Sequence, residues 1–165
     1  MIRRARPEDR TAVEAIVRDA YGIYIARIGK PPGPMLDDYA TLIADGAVSV
    51  LEGPDAAIAA IIVLLAKLDH LLLDNIAVRP DCQGQGLGRQ LIAFAEAEAR
   101  RLSYAELRLY MHETMTENIA LYTRLGFVET GRGRDAGYDR VFMTKRLGKP
   151  EINWRRYTSH TKCYI

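Results

Sequence analysis

The chain is poor in the residues that hold small secreted or metal-dependent folds together. It has two cysteines, Cys82 and Cys163, and three histidines. Two thiols make no disulfide framework, and without a CxxC pair or metal-ligand spacing they make no metal site, so a reducing, cytoplasmic setting and no metal are expected. Long apolar runs are also missing. The longest, Ala56 to Ala66, is far short of the roughly 20 residues that a bilayer-crossing helix needs. The start, Met1-Ile2-Arg3-Arg4, runs into Arg6-Pro7-Glu8-Asp9 without the apolar stretch of a secretory signal, so no membrane partner is expected. An excess of one charge sign is lacking too: 23 basic and 21 acidic residues leave a net charge of +2. The signs are mixed along the chain, which gives no electrostatic footprint for nucleic acid.

What is present suits one folded domain. Hydrophobic residues make up 48% and charged residues 27% of the 165, far from the composition of a disordered chain. A domain of this length buries roughly two-thirds of its unfolded surface. Ile2 to Ala5 reads as a first strand and Pro7-Glu8-Asp9 as a helix start, with Val13, Ile16, Val17 and Ala20 on one face. The prolines and glycines from Ile28 to Pro34 exclude a helix there, and a short helix is expected from Leu36 to about Asp45. Gly46 to Glu52 reads as a strand and Gly53-Pro54-Asp55 as a turn. Ala56 to Ala66 is ambiguous by periodicity, its alanines suiting a helix and Ile61-Ile62-Val63 a buried strand. Further strands are expected at Leu71 to Val78 and Leu107 to Met111. A helix from near Arg89 has Leu87, Leu91, Phe94, Ala95 and Leu102 on one face. Another spans Glu117 to Leu125, and a final hairpin runs from Gly126 through Gly137 to about Leu147.

Chemistry concentrates where the strand ending N-I-A-V-R-P meets the glycine-rich bend Gln83-Gly84-Gln85-Gly86-Leu87-Gly88-Arg89. Glycines let consecutive backbone N–H groups converge, and the helix that follows adds unpaired donors and the positive end of its dipole. Phosphate oxygens suit such a cradle. A nucleoside-triphosphate P-loop requires Gly-Lys-Ser/Thr, but Gly88 is followed by Arg89-Gln90. A dinucleotide fingerprint requires a third glycine where Arg89 stands, and no acidic residue ends the next strand.

Gln83-x-x-Gly86-x-Gly88 resembles the acyl-CoA signature of the GNAT superfamily of N-acetyltransferases. A second stretch, Asn118, Ala120, Leu121-Tyr122 and Gly126-Phe127, resembles that family's next motif in the right order and at the right distance. The resemblance covers residues 1 to 147 and resolves the ambiguous segment as a strand. It implies an α/β (α+β) fold, a mixed central sheet with helices on both faces. Residues 1–147 would form the N-acetyltransferase domain and 148–165 a C-terminal extension. That extension carries Ile152, Trp154, Tyr157 and Tyr164, which could pack on the domain or on a second copy in a homodimer.

The resemblance also implies roles. Acetyl-CoA, as co-substrate, would place its pyrophosphate on the amides of Gln83 to Arg89. Its pantetheine arm would lie along Ile76, Ala77 and Val78, with the Val78 amide offered to the thioester oxygen and Asn118 contacting the arm. Tyr122 stands where many members carry the tyrosine that protonates the leaving thiolate. Some relatives carry a basic glutamate at the position of Tyr110, so that role does not transfer; Asp74, Glu113 and His112 are the local candidates, beside a plain water chain. The segment between the first helices would line the acceptor side. There Tyr21, Tyr24 and Tyr39 could wall an apolar body, and Arg27 could hold a carboxylate. An alkyl ammonium of pKa ~10 must lose its proton before attack, which costs roughly 4 kcal/mol at pH 7.

The expected activity is acetyl transfer to a primary amine of a small metabolite or amino-acid-like substrate, by direct attack in a ternary complex. A protein N-terminus or lysine as acceptor, a non-catalytic acyl-CoA-binding module, and a partner-binding domain using Trp154 are the alternatives.

Overall fold

The computed structural model describes residues 1–148, so the expected extension lies, but for Gly148, outside the described residues. Seven strands form one sheet: β1 (Ile2–Arg4), β2 (Val48–Glu52), β3 (Ile58–Ala66), β4 (Leu71–Val78), β5 (Glu106–His112), β6 (Val128–Asp135) and β7 (Tyr138–Arg146). Their order is β1-β2-β3-β4-β5-β7-β6. Only β4 and β5 run parallel; every other neighbouring pair is antiparallel. The helices are α1 (Arg10–Tyr21), α2 (Ile25–Ile28), α3 (Tyr39–Ala44), α4 (Leu87–Arg101) and α5 (Thr116–Arg124).

The ambiguous segment is a strand because it is the centre of the sheet. Ala60, Ile61, Ile62 and Val63 are fully buried, with side chains taken up on both faces, the setting in which β-branched residues pack best. The expected start at Ala56 was too early: Ala56 is in the turn at φ 61. Helix α3 begins at Tyr39 rather than Leu36, because the Asp38 carboxylate caps it by accepting from the Ala40 and Thr41 amides. Helix α4 begins at Leu87, two residues before the expected Arg89. Its inward face is Leu91, Ile92, Ala95 and Ala99, whereas Leu102 is exposed. The one-turn helix α2 was not expected; it stops at Gly29, whose φ of 82 a side chain would resist.

Two apolar layers sandwich the sheet. On one side Val13, Ile16 and Val17 of α1, with Tyr39 and Ile43 of α3, pack on Val48, Val50, Ile61, Val63 and Ala77. On the other, the inward face of α4 packs on Leu71, Leu73, Leu107 and Leu109.

The buried residues of β4 change layers partway along the strand, and one extra residue is the reason. Leu73 pairs with Leu64 of β3, and Asn75 pairs with the next residue back, Val63, so Asp74 has no partner there. This is a β-bulge, which bends a strand and re-aims its side chains. Before the bulge Leu71 and Leu73 face α4; after it Ala77 faces α1. Pairing between β4 and β5 stops at the same point, its register running only from Leu71↔Leu107 to Leu73↔Leu109. Beyond it the two parallel strands separate into a wedge whose inner end is marked by Asp74 and Tyr110.

Asn75 fixes the bent half of β4. Only 1% exposed, it accepts a hydrogen bond from the Tyr21 hydroxyl (2.7 Å) and donates one to the Tyr39 oxygen (2.8 Å). Tyr39 in turn donates to the Pro34 carbonyl (2.8 Å). Asn75→Ala takes one hydrogen-bond partner from each of two tyrosine hydroxyls, which keep the Ile76 and Pro34 carbonyls, and urea unfolding is expected to show a loss of about 1–3 kcal/mol.

Candidate functional site

The loop after β4 is built as an anion cradle. Gly84 and Gly86 sit at φ 76 and 79, the left-handed region that a side chain resists. A Cβ placed on Gly84, Gly86 or Gly88 would meet no atom within 4 Å, so the glycines answer to backbone conformation and to the open space in front of it rather than to internal packing. Gly86 is the N-cap of α4, whose first N–H groups have no partner within the helix. The loop is held from behind: the Gln83 side-chain amide donates to the Val78 carbonyl (3.2 Å) and that of Gln85 to the Asp81 carbonyl (3.4 Å). Gln83, Gly84, Gln85, Gly86 and Arg89 are exposed, and Leu87 and Gly88 half-buried. Residues and space together fit a diphosphate.

The wedge leads from this cradle to a cavity of about 140 Å³ lined by Tyr21, Pro34, Asp37, Asp74, Tyr110, His112, Tyr138 and Arg140, among others. Asp74, aimed sideways by the bulge, accepts a hydrogen bond from the Tyr110 hydroxyl (2.8 Å). The Arg140 guanidinium lies 4.1 Å from the centre of the Tyr110 ring and is held by Asp135 (3.1 Å). Burial first and Asp74 second push the Tyr110 phenol up to about 12. Asp37 stands at the rim with much of its residue surface open. Its carboxyl, crowded on the cavity side, is pushed up to about 6, first by desolvation and then by Asp74, against the pull of Arg140. Sequence reading passed over Asp37 and Arg140, whose places in the fold carry no motif; Tyr110 it read only as a replaced glutamate.

Tyr122 lies on α5 with its ring edge-on to Phe127 at 5.5 Å. Burial, and then Tyr24, push its phenol up to about 12. A phenol raised in this way holds its proton at pH 7, as a group able to donate one would.

The remaining expected residues divide. Tyr21 is half-buried at the wedge, and its hydroxyl also donates to the Ile76 carbonyl (3.1 Å). The Ala77 side chain is core, so only its backbone can face a ligand; Ile76 and Val78 are half-buried. Asn118 donates to the Tyr24 hydroxyl (3.3 Å). Four assignments need correction. Tyr39 is 2% exposed, a support beneath the site rather than a wall of it. Arg27 is bound to Glu117 (2.6 Å) and stacked on Tyr24 (5.4 Å), so its fork is committed to bridging α2 and α5. Glu113 is exposed at the far end of β5 and does not line the cavity. Neither does Tyr24, which is 8% exposed.

A clasp closes one side of the cavity. The Tyr138 hydroxyl donates to the Pro31 carbonyl (2.7 Å), and Lys30 donates to the Gly137 carbonyl (2.8 Å) while lying over the Tyr138 ring (3.9 Å). The loop after α2 is thereby fastened to the β6–β7 turn. Among the described residues no helix is long and apolar enough to cross a membrane.

Comparison with known proteins agrees with this geometry. A family described as acetyltransferase (GNAT) domain matches residues 43–129, more than half of the chain. Ribosomal protein bS18-alanine N-acetyltransferase of Escherichia coli (strain K12) is 42% identical over 71 residues, 43% of this chain and 48% of the relative. Its Salmonella typhimurium counterpart is 39% identical over 75 residues, 46% of this chain and 51% of the relative. The chain thus spans about half the length of the curated relatives it matches. The crystal structure of the E. coli ribosomal-protein-S18-alanine N-acetyltransferase aligns with TM-score 0.71 at 26% identity over 93% of this chain and 97% of that one. PaiA N-acetyltransferase from Thermoplasma acidophilum, solved in complex with coenzyme A, aligns with TM-score 0.74 at 18% identity over 88% of this chain and 98% of that one. These relatives overturn the expected small-molecule acceptor: the names of the E. coli and Salmonella enzymes specify a protein substrate. With the seven-stranded sheet, the cradle and the wedge between β4 and β5, the match shows that the chain belongs to the GNAT acetyltransferase family.

Proposed function

We propose that this protein transfers the acetyl group of acetyl-CoA to the α-amino group at the N-terminus of a protein, an alanine N-terminus first among them. The observation that carries this is the 42% identity to the bS18-alanine enzyme; the shape and chemistry of the cavity support it. About 140 Å³ is small beside the ~300–1,000 Å³ of pockets that enclose whole small molecules. It has room for an amino-terminal residue with a small side chain, the rest of the peptide leading outward past the rim. An α-amino group, with pKa about 8, is neutral at pH 7 for about 1.4 kcal/mol, against more than 4 for a lysine side chain. A site with modest proton-accepting power therefore suits it.

The diphosphate of acetyl-CoA is assigned to the amides from Gln83 to Arg89, and the arm to the unpaired edge of β4. Val78 borders the cradle, so the arm must run past it and the acyl group must lie nearer the inner end of the wedge. The thioester oxygen is accordingly assigned there, not to the Val78 amide. The amine enters from the cavity, its nitrogen forms the bond to the acyl carbon, and the C–S bond breaks. Tyr122 supplies the proton that the departing sulfur needs. Holding both substrates in one cleft supplies the orientation.

Four outcomes test this reading and the electrostatics of its cavity. A peptide beginning with alanine is expected to gain one acetyl group on its α-nitrogen by mass spectrometry, with equal release of CoA thiol, while the same peptide blocked at its N-terminus and carrying an internal lysine stays unmodified. Acetylation of the lysine instead would refute the assignment. Tyr122→Phe is expected to lower kcat by on the order of 10²-fold without weakening acetyl-CoA, and Gly86→Val to raise the KM for acetyl-CoA. Asp37→Asn is expected to raise the melting temperature at pH 7.5. The sign follows from Asp37's raised value: between its unfolded value near 4 and its folded value of about 6 the folded chain holds the proton more tightly, so stability falls as pH rises through that window. The neutral side chain escapes that loss, and a variant that melts lower than the parent at pH 7.5 would contradict it.

A further inference from the structure

Resting on the reading above, the geometry points to Tyr110 as a proton relay: its phenol oxygen takes the proton of the attacking amine while passing its own to Asp74, with Arg140 as the positioning residue that holds the ring.

Three independent features meet at this pair. First, the bulge leaves Asp74 without a partner on β3 and turns it out of the strand's regular alternation; bulges next to reacting centres are a common way to aim one side chain. Second, pairing between β4 and β5 ends at Leu73 and Leu109, so Asp74 and Tyr110 are the first residues of the opening, where an acyl group carried down the wedge would stop. Third, the 2.8 Å bond from the Tyr110 hydroxyl to Asp74 is already oriented for transfer in the required direction. Both residues line the cavity that receives the amine.

The groups facing the pair come from several elements. Asp37 approaches from the segment before α3, Arg140 and Tyr138 from β7, His112 from β5 and Tyr21 from α1. Arg140, stacked on the Tyr110 ring at 4.1 Å and anchored by Asp135, fixes the ring plane and stabilises negative charge building on the phenol oxygen. The raised value of that phenol keeps it protonated between turnovers, ready to donate. In the step itself the bound ammonium gives one proton to the Tyr110 oxygen as the Tyr110 proton moves to Asp74; the neutral nitrogen then bonds to the acyl carbon, and the second proton it sheds passes through water to replace the one Tyr122 gives up. The sulfur leaves with a proton from Tyr122. Asp74 returns its proton to water afterwards, and Tyr122 regains one, so no other reagent is consumed.

The test compares Tyr110→Phe, Asp74→Asn and the double variant with the parent enzyme on the alanine-led peptide from pH 6 to 9.5. Each single variant is expected to lose on the order of 10²-fold in kcat near pH 7, with the KM for acetyl-CoA unchanged. The double variant is expected to fall no further than either single, because the two residues serve one transfer. The deficit is expected to shrink above pH ~8, where the α-amine is neutral in water; a purely structural loss would not recover there. Full turnover in Tyr110→Phe, multiplicative losses in the double variant, or a deficit flat with pH would each overturn the relay. If the parent leaves the peptide untouched, the acceptor reading fails by itself. The same variants are then read on the slow hydrolysis of acetyl-CoA, with water in the amine's place, where an unimpaired Tyr110→Phe again overturns the relay.

Discussion

One unpaired residue in the middle of a buried strand organises this protein. Without the bulge at Asp74, the odd-numbered residues of β4 would face α4 along its whole length, and Asn75 and Ala77 could not enter the layer beneath α1. With it, Asn75 turns into that layer and is met by two tyrosine hydroxyls. The neighbouring parallel strand loses its register at the same place. An opening between two parallel strands exposes backbone groups that a sheet would normally satisfy, and these are what an extended, amide-bearing chain such as pantetheine can use.

The site is therefore assembled from two kinds of part. The cradle is local: a strand end, a glycine bend and a helix start within one continuous stretch, with hydrogen bonds of its own behind it. The acceptor side is composite. It draws Tyr21 from α1, Asp37 from the segment before α3, Asp74 from β4, Tyr110 from β5 and Arg140 from β7. Electrostatics follow the same division, since the cradle offers dipoles and amides beside the exposed Arg89, whereas the cavity holds two carboxylates and a guanidinium among aromatic rings.

That division explains what could be read from the sequence. Local patterns carry local structure, so the strand before the glycines, the bend, α4 and the hairpin were legible within a few residues. Family membership followed from Gln83-x-x-Gly86-x-Gly88 together with the later Tyr122 motif. The bulge was not legible, because burial still alternates regularly along L-L-L-D-N-I-A-V while the layer into which the residues point changes halfway. Arg27 and Tyr39 looked available only because their partners, Glu117 and Asn75, are distant in the chain. Asp37 and Arg140 gave no signal at all: an aspartate in a proline-rich segment and an arginine in a hairpin are ordinary surface residues until folding places them at one cavity. The acceptor class has no local motif either; it was the names of the relatives that spoke against the expected small-molecule amine.

The clasp between Pro31 and Tyr138 joins segments that are 107 positions apart in the chain, and both belong to the acceptor side. The turn at Gly137 and the loop after α2 can thus change length or composition together while the cradle stays untouched. A change of guest then needs no alteration of the glycine-bend half: it is admitted by refitting the doorway, while the cradle keeps its shape.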